Sequence, residues 1–415
     1  MQAHLLTGSD LDNALRGKFR TVIRLGLLDP PARVPYAKIG AAGEPEPWTT
    51  PEHKSLALTA ARESVVLLKN ADGMLPLSQS SLKSIAVIGP RANEVLIDIY
   101  GGQYPYAVTP LEGIRKKAGS AIAVRYAATN EKDAAVKAAK DSDVAVVVVG
   151  NHPICGSKLS VAIFNPDTST KPYADPSEGR DRESIALSQE ELIQKVYAAN
   201  RKTVVVLVSS FPYAIPWTKQ NVPALLHMAH ASQEEGNALA DVLFGDYTPA
   251  GRLNQIWPQS LAQLPPLPDY NIRHGRTYMY FKDEPLYPFG YGLSYTTFQY
   301  TNLTLSSPTV STSGAVTVSV DIKNTGQRRG DEVAQLYVRH PHSRVDRPRQ
   351  ELKGFQRVTL APNEVRAVRF PIRADSLAWW NDGQHRFAVE AEPVELLVGS
   401  SSVDIRSKTL LRVTQ

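Results

Sequence analysis

The sequence predicts an α/β protein in which a parallel sheet is followed by a second, all-β domain. Between residues 54 and 244, short apolar runs rich in β-branched residues alternate with amphipathic stretches. Such alternation is typical of strands and helices built around a parallel sheet. After about residue 300 the pattern changes to short β-rich segments separated by turn residues. That change favours an antiparallel sandwich at the C-terminal end.

Apolar runs within the first region are long and continuous, which is typical of strands buried on both faces of a sheet. The candidate strands are residues 84–88, 121–126, 144–149, 203–208 and 224–229. Candidate helices lie between them at residues 131–141, 189–200 and 234–244. Gly245 follows the last of these at a position where helices commonly end.

The first stretch of this region, ahead of its candidate strands, is predicted to be helical. Apolar residues in the segment 61–70 recur at helical spacing, which indicates packing. Arg62, Glu63 and Lys69 are then expected to form a salt-linked face on the exposed side.

These patterns divide the chain of 415 residues into four parts. Residues 1–50 hold one helix candidate, at 9–27, and a loop rich in Pro, Gly and Ala. Residues 51–256 form the α/β domain, and residues 257–300 an ordered connecting wrap rich in proline, glycine and aromatics. Residues 301–415 hold seven short strand candidates, as expected of a sandwich of immunoglobulin or fibronectin type.

Composition argues against several classes of protein. The formal charge of +5 is small for this length and does not predict a nucleic-acid or membrane partner. No apolar run reaches the roughly 18 residues of a membrane span. The N-terminus lacks the apolar core of a secretory signal, so none is expected. The single cysteine, Cys155, cannot form a disulfide within the chain.

No cofactor or metal site is predicted. The segment Gly89-Pro-Arg lacks the spacing of a dinucleotide-binding loop, and no phosphate-binding Gly-Lys-Ser/Thr loop is present. His227 and His230 lie three apart on an apolar strand, which places them on opposite faces and argues against a shared metal.

The candidate catalytic residues lie in the segment 177–183, Ser-Glu-Gly-Arg-Asp-Arg-Glu. This segment follows the strand ending at Gly150 by a long loop, and such loops are where parallel sheets bind ligands. Glu178 or Glu183 could transfer protons if its pKa were tuned by burial or neighbouring charges. Both could equally be solvated carboxylates paired with Arg180 and Arg182.

The segment 288–295, Pro-Phe-Gly-Tyr-Gly-Leu-Ser-Tyr, has two interpretations as well. Its glycines suggest backbone bends, and its aromatic rings could pack on protein or stack on a sugar.

Considered together, these motifs resemble family three of the glycoside hydrolases in order and spacing over nearly the whole chain. The resemblance is carried by residues 62–70 with 75–77 and 85–90, 109–114 with 139–150, 233–246 with 249–253, 285–298, and 351–355. It implies an α/β sandwich of about six strands followed by a fibronectin type III-like domain. It also implies that residues 13–29 are the last helix of the family's barrel domain and its exit.

The resemblance further implies a retaining mechanism with two carboxylates. The family's nucleophile is an aspartate on the barrel, which these residues do not include. Glu178, ahead of Asp181-Arg182, matches the family's general acid/base, and Glu183 is the second choice. The insertion 154–176 departs from the commonest family pattern, and its length could let Asp175 occupy the same place.

The resemblance therefore implies a β-glycosidase acting on β-glucosides or β-xylosides, of which this chain is the C-terminal part. Its expected partners are an oligosaccharide or β-glycoside substrate and a barrel domain in cis or in trans. Without the barrel we expect the chain to be inactive or nearly so. The alternative is a non-catalytic carbohydrate-binding or scaffold protein that retains the fold. The sugar, the oligomeric state and the compartment stay open, and a periplasmic or secreted parent enzyme fits the resemblance.

Overall fold

A computed structural model describes residues 6–44, 46–96, 104–151, 184–230 and 233–415. The chain falls into two compact units, one up to Lys54 and one from Ser55 to Gln415. In the first unit, helix α1 (Gly8–Arg24) begins at a capping box between Thr7 and Asp10. The predicted helix 9–27 is therefore present, although it ends three residues earlier.

The second unit begins with a six-stranded sheet, most of whose strands are parallel. The strands are β1 (Val66–Asn70), β2 (Ser84–Ile88), β3 (Ala123–Ala127), β4 (Val144–Gly150), β5 (Thr203–Val208) and β6 (Ala224–Met228). Their order across the sheet is β1-β6-β5-β4-β2-β3. Only β1 runs antiparallel, at one edge, where it pairs with β6. The predicted α/β sandwich of about six strands is confirmed.

Helices cover both faces of this sheet. They are α3 (Pro110–Ala118), α4 (Ala134–Lys140), α5 (Glu190–Ala199), α6 (Pro216–Asn221) and α7 (Glu235–Phe244), whereas α2 (Pro51–Ser64) leads into β1. One buried cluster joins α3 and α7 to one face, and a second joins α4 and α5 to the other. Gly245 ends α7 in the left-handed conformation, with φ of 81°, as predicted.

The segment 61–70 differs from its prediction. Helix α2 ends at Ser64, and residues 66–70 form β1, so the apolar run fills the sheet. The predicted salt-linked face does not form. Arg62 pairs with Asp241, while Lys69 donates to the carbonyls of Lys219 and Gln220. A buried run of four apolar residues fits helical and strand spacing alike, which explains the error.

The connecting wrap packs along the free edge of β1. Leu293 N donates to Leu67 O over 2.8 Å, and Gly251 N, shortly before the wrap, donates to Val65 O over 3.1 Å. A second bridge joins Trp257 to Tyr287, and both rings lie in the sheet's buried core. A short helix, α8 (Thr277–Tyr280), lies within the wrap.

Residues 298–414 form a β-sandwich that matches the predicted fibronectin type III-like fold. Its strands are β7 (Phe298–Leu305), β8 (Thr309–Ser311), β9 (Ala315–Asn324), β10 (Gly330–Arg339), β11 (Glu351–Leu360), β12 (Val365–Arg373), β13 (Trp379–Asn381), β14 (Arg386–Ala388), β15 (Pro393–Gly399) and β16 (Ile405–Thr414). A five-stranded sheet, β11-β10-β15-β16-β8, packs on a three-stranded one, β12-β9-β7. One pair, β8 with β16, is parallel. The three boundaries between the four predicted parts stay a prediction, since residues 55–415 form one compact unit.

Candidate functional site

The candidate site is the carboxyl edge of the parallel sheet, between β2 and β4. From β2 the chain crosses to β3 by α3 on one face, whereas from β4 it crosses to β5 by α5 on the opposite face. The two connections therefore leave the sheet in opposite directions, which opens a crevice at this switch point. Ligands of open α/β sheets bind at such crevices.

Two glycines shape this edge. Gly89 follows β2 with φ of 116°, and Gly150 ends β4 with φ of 133°. A Cβ on Gly89 would lie 2.2 Å from Val148 O, and one on Gly150 would lie 1.8 Å from Val208 O. Only a residue without a side chain fits either position. Both turns are thus held against the neighbouring strand as they leave the sheet.

The segment that follows β4 is anchored at both ends to this edge. At its start, Asn151 is fully buried, and its carbonyl oxygen lies 3.0 Å from His230 Nε2, just beyond β6. At its return, Ile185 O accepts from Ala214 N over 2.8 Å, beside the chain leaving β5. The chain between these anchors therefore starts and finishes at the carboxyl edge of the sheet.

The sequence-predicted site residues belong to that intervening chain. Glu178, Glu183 and Asp175, together with Arg180 and Arg182, lie outside the residues that the structure describes. The two histidines considered as metal ligands bind different carbonyls, because His227 Nδ1 lies 3.2 Å from Leu207 O. Burial lowers the pKa of His227 to about 4, so it is neutral at pH 7.

An acidic cluster at the same edge was not predicted from the sequence. Glu234 accepts from Tyr106 Oη and from Asn237 Nδ2, each over 2.6 Å. Arg91, which follows β2, forms an ion pair with Glu94. Glu235 opens α7 and is only 1% exposed. The cluster thus brings three carboxyl groups and one guanidinium to the side of the crevice near β2.

The carboxyl groups of this cluster are not equivalent. Burial, and to a lesser degree the charge of Glu94, raises the pKa of Glu235 to about 8. Burial also raises the pKa of Glu94, against the opposing effect of Arg91. Burial and the hydrogen bond to Glu234 raise the pKa of Tyr106 to about 12. At neutral pH the site therefore holds a protonated Glu235.

This arrangement suits proton transfer and hydrogen bonding better than metal binding. Among the described residues, no group of three His, Cys, Asp or Glu side chains is placed to hold a metal ion.

No helix in the described part of the chain is long and apolar enough to cross a membrane. The signal for the cluster was present in the sequence, since two adjacent glutamates follow an apolar strand at residues 234–235.

Comparison with known proteins decides the family. Residues 65–295 match the family described as the glycosyl hydrolase family 3 C-terminal domain, and residues 332–402 match the fibronectin type III-like domain. The chain belongs to glycosyl hydrolase family 3. The predicted resemblance is thereby confirmed.

The curated relatives that this chain matches include β-xylosidases and β-glucosidases. A beta-xylosidase of Formosa agariphila is 36% identical over 377 residues, which cover 85% of this chain and 49% of the relative. A periplasmic beta-glucosidase of Salmonella typhimurium is 34% identical over 449 residues, covering 97% of this chain and 55% of the relative. The chain spans about half the length of these relatives.

Solved structures of β-glucosidases share the fold. A β-glucosidase of Bifidobacterium adolescentis superposes with a TM-score of 0.81 at 26% identity, over 98% of this chain and 58% of that one. A β-D-glucoside glucohydrolase of Trichoderma reesei superposes with a TM-score of 0.76 at 29% identity, over 88% of this chain and 56% of that one. The sheet and the β-sandwich described above are therefore the family 3 architecture.

Proposed function

We propose that this chain is the C-terminal part of a retaining β-glycosidase that hydrolyses β-glucosides or β-xylosides. In this proposal Glu178 is the general acid/base, and an aspartate nucleophile comes from a barrel domain in cis or in trans. The named relatives, which are β-xylosidases and β-glucosidases, support the reaction class.

The observation that carries the proposal is the anchoring of the segment between Asn151 and Ser184. It leaves from β4 and returns beside the end of β5, so both of its ends are fixed at the carboxyl edge. A carboxylate in such a segment is well suited to act on a ligand bound above the sheet. Glu178 matches the family position, Glu183 is the second choice, and Asp175 is the third.

Glu178 would act in both halves of the reaction. It first donates a proton to the glycosidic oxygen as the bond to the sugar breaks, and a glycosyl-enzyme forms on the nucleophile. It then removes a proton from the water that releases the sugar. The first step needs a raised pKa, which burial against the barrel would supply.

The first unit supports a barrel partner. Leu11, Leu15, Phe19 and Ile23 recur at every fourth position of α1. Their exposed fractions run from 39% to 61%, and no residue of α1 is buried. A stripe of this kind is typical of a helix that packs on a further domain. A retaining pair needs carboxyl groups about 5 Å apart, so the barrel must supply the second one.

Activity assays test the proposal directly. We expect the chain alone to leave 4-nitrophenyl β-glucoside and β-xyloside unhydrolysed, and the chain supplied with its barrel domain to hydrolyse one of them with retention. Glu178→Gln should then slow turnover of these activated substrates strongly, because no base remains for the second step, while Glu131→Gln, an exposed control, should not. Full turnover by the isolated chain would overturn the proposal. An assembled protein that binds sugars without cleaving them would favour the non-catalytic alternative.

A further inference from the structure

A cavity of about 510 Å³ lies where the chain leaving α7 meets the β-sandwich. Residues 245–248, which follow α7, line one side of it, and residues 328–331, at the turn into β10, line the other. Glu63, near the end of α2, and Thr359 of β11 complete the wall. The volume of the cavity falls within the roughly 300–1,000 Å³ of small-molecule sites.

This cavity is separate from the candidate site at the carboxyl edge of the sheet. Glu235, the first residue of α7, belongs to the acidic cluster of that site, whereas Gly245 follows the last residue of α7 and borders the cavity. A helix of ten residues is roughly 15 Å long. None of the described residues of the candidate site lines the cavity. What the cavity binds is therefore not dictated by the proposed reaction.

Two adjacent arginines give the cavity its positive charge. Arg328 and Arg329 are exposed, and neither side chain forms an ion pair within the described part of the chain. Their backbone is fixed, because Asn324 Nδ2 donates to Arg328 O over 2.7 Å and Thr248 Oγ1 donates to Arg329 O over 2.9 Å. The planar N–H groups of a guanidinium match the oxygens of a carboxylate or a phosphate. The turn thus presents two cationic groups that suit an acidic ligand.

The carboxylates that line the cavity already have cationic partners. Asp246 forms an ion pair with Lys117, while Asp331 Oδ2 lies 2.7 Å from Arg357 Nε and Glu63 Oε2 lies 3.6 Å from Arg357 Nη1. Lys117 and Arg357 offset much of the negative charge, so the two further arginines leave an excess of positive charge. The side chains of Glu63 and Asp246 are 45% and 49% exposed, so their oxygens can accept further hydrogen bonds from hydroxyl groups.

From this combination we infer that the cavity binds a sugar that carries an acidic group, as a uronic acid or a sugar phosphate does. The acidic group lies between Arg328 and Arg329, and the sugar hydroxyls donate to Glu63 and Asp246. A free inorganic anion would fill only a small part of the cavity and would leave these carboxylates unused. A neutral sugar would leave both guanidinium groups without a counter-charge. The inference goes beyond the proposed function and does not depend on the assignment of Glu178.

Titration calorimetry on the chain at low salt tests the inference, with glucuronic acid, glucose 6-phosphate, glucose and inorganic phosphate as ligands. At least one of the two acidic sugars should bind about tenfold more tightly than glucose and inorganic phosphate, because it alone uses both kinds of group. Arg328→Gln/Arg329→Gln should weaken that binding about tenfold. Arg125→Gln/Arg412→Gln removes the same charge at exposed positions elsewhere and should leave the binding unchanged.

A second variant examines the hydroxyl contacts. Glu63→Ala/Asp246→Ala removes two acceptors, so the preference for glucose 6-phosphate over inorganic phosphate should fall about threefold or more. An unchanged preference would overturn the inference, as would inorganic phosphate or glucose that binds as tightly as both acidic sugars.

The inference would also fail if neither acidic sugar bound at millimolar concentrations, or if the two double arginine variants lost affinity equally. None of these measurements uses the barrel domain or Glu178. Their outcome therefore leaves the proposed function to its own assays.

Discussion

The guanidinium of Arg252 lies 3.2 Å from the carboxylate of Glu332, and both side chains are at least nine-tenths buried. Arg252 follows the last helix of the α/β domain, whereas Glu332 belongs to β10 of the sandwich. Tyr300 Oη donates to the same carboxylate over 3.0 Å. The ion pair therefore ties the two folds together through a site that water does not reach.

Removing one partner of this pair should be costly. Arg252→Met leaves Glu332 buried without its counter-charge, which typically costs about 3–5 kcal/mol. We expect a large fall in the thermal unfolding midpoint, measured by circular dichroism. Arg373→Ala removes an exposed pair with Asp375 and should leave the unfolding midpoint almost unchanged, because water screens such a pair. Similar effects from the two variants would show that the buried pair contributes little.

A second prediction concerns the turn after β4. Gly150→Ala places a methyl group against Val208 O at the carboxyl edge of the sheet, so soluble expression and the unfolding midpoint should both fall. Gly17→Ala is the matched control, because nothing lies within 4 Å of a Cβ in the middle of α1. It should be neutral or stabilising by about 0.5–1 kcal/mol. An unchanged midpoint for Gly150→Ala would contradict the tight turn.

The buried carboxyl group of Glu235 predicts a particular pH dependence. Its folded pKa of about 8 lies above the ordinary value of 4.5, so the folded state keeps a proton that the unfolded state loses. The free energy of unfolding therefore falls as pH rises from 4.5 to 8, by about 5 kcal/mol from this group. Glu235→Gln stays neutral and should lose most of that slope in urea denaturation at pH 5 and pH 8.5. Glu131→Gln, an exposed control, should retain it.

A slope that is unchanged in Glu235→Gln would mean that this carboxyl group is ionised in the folded protein. The related variant Glu94→Gln removes the neighbouring charge and should lower the pKa of Glu235 towards its ordinary value. In Glu94→Gln, the fall in the free energy of unfolding between pH 5 and pH 8.5 should lie between that of the wild type and that of Glu235→Gln.

The role proposed for Glu178 has a kinetic signature in the assembled enzyme. Glu178→Ala should harm substrates with poor leaving groups most, because these need protonation as the bond breaks. Activated aryl glycosides should still form the glycosyl-enzyme. Its hydrolysis should then slow, because no base removes the proton from the attacking water. Azide needs no base, so it should restore turnover and give a β-glycosyl azide, detectable by NMR.

Equal losses on all substrates, with no response to azide, would contradict this role for Glu178. The same assay on Glu183→Ala and then Asp175→Ala would identify whether either carboxylate acts instead. In each case the azide product, and not the loss of activity, assigns the proton transfers.

Local patterns were sufficient to predict much of this fold. The runs at 84–88 and 203–208 are strands with the expected bounds, because continuous β-branched residues fit few other structures. The helical prediction for residues 61–70 was wrong over residues 66–70, since the four consecutive apolar residues 65–68 satisfy helical and strand packing equally. The pair Arg252–Glu332 joins positions 80 apart in sequence, and no local pattern reports such a contact.

The candidate site was predicted less completely than the fold. The loop after the strand that ends at Gly150 was predicted to lie where a parallel sheet binds ligands. The structure anchors both ends of that loop at the carboxyl edge of the sheet. The carboxyl groups of Glu94 and Glu235 were missed because their importance comes from burial, which depends on packing across α3 and α7. The assignment of Glu178 stays a prediction.

The wrap's contacts with β1 also bear on solubility. β1 lies at a sheet edge, and the segment from Val65 to Leu68 is a run of four large apolar residues. Unprotected edges of this composition recruit strands from other chains and lead to aggregation. Leu293 and Gly251 occupy the backbone carbonyls that such a strand would use. A chain cut after residue 256 would keep its whole parallel sheet yet lose the Leu293 contact, and would be prone to precipitate.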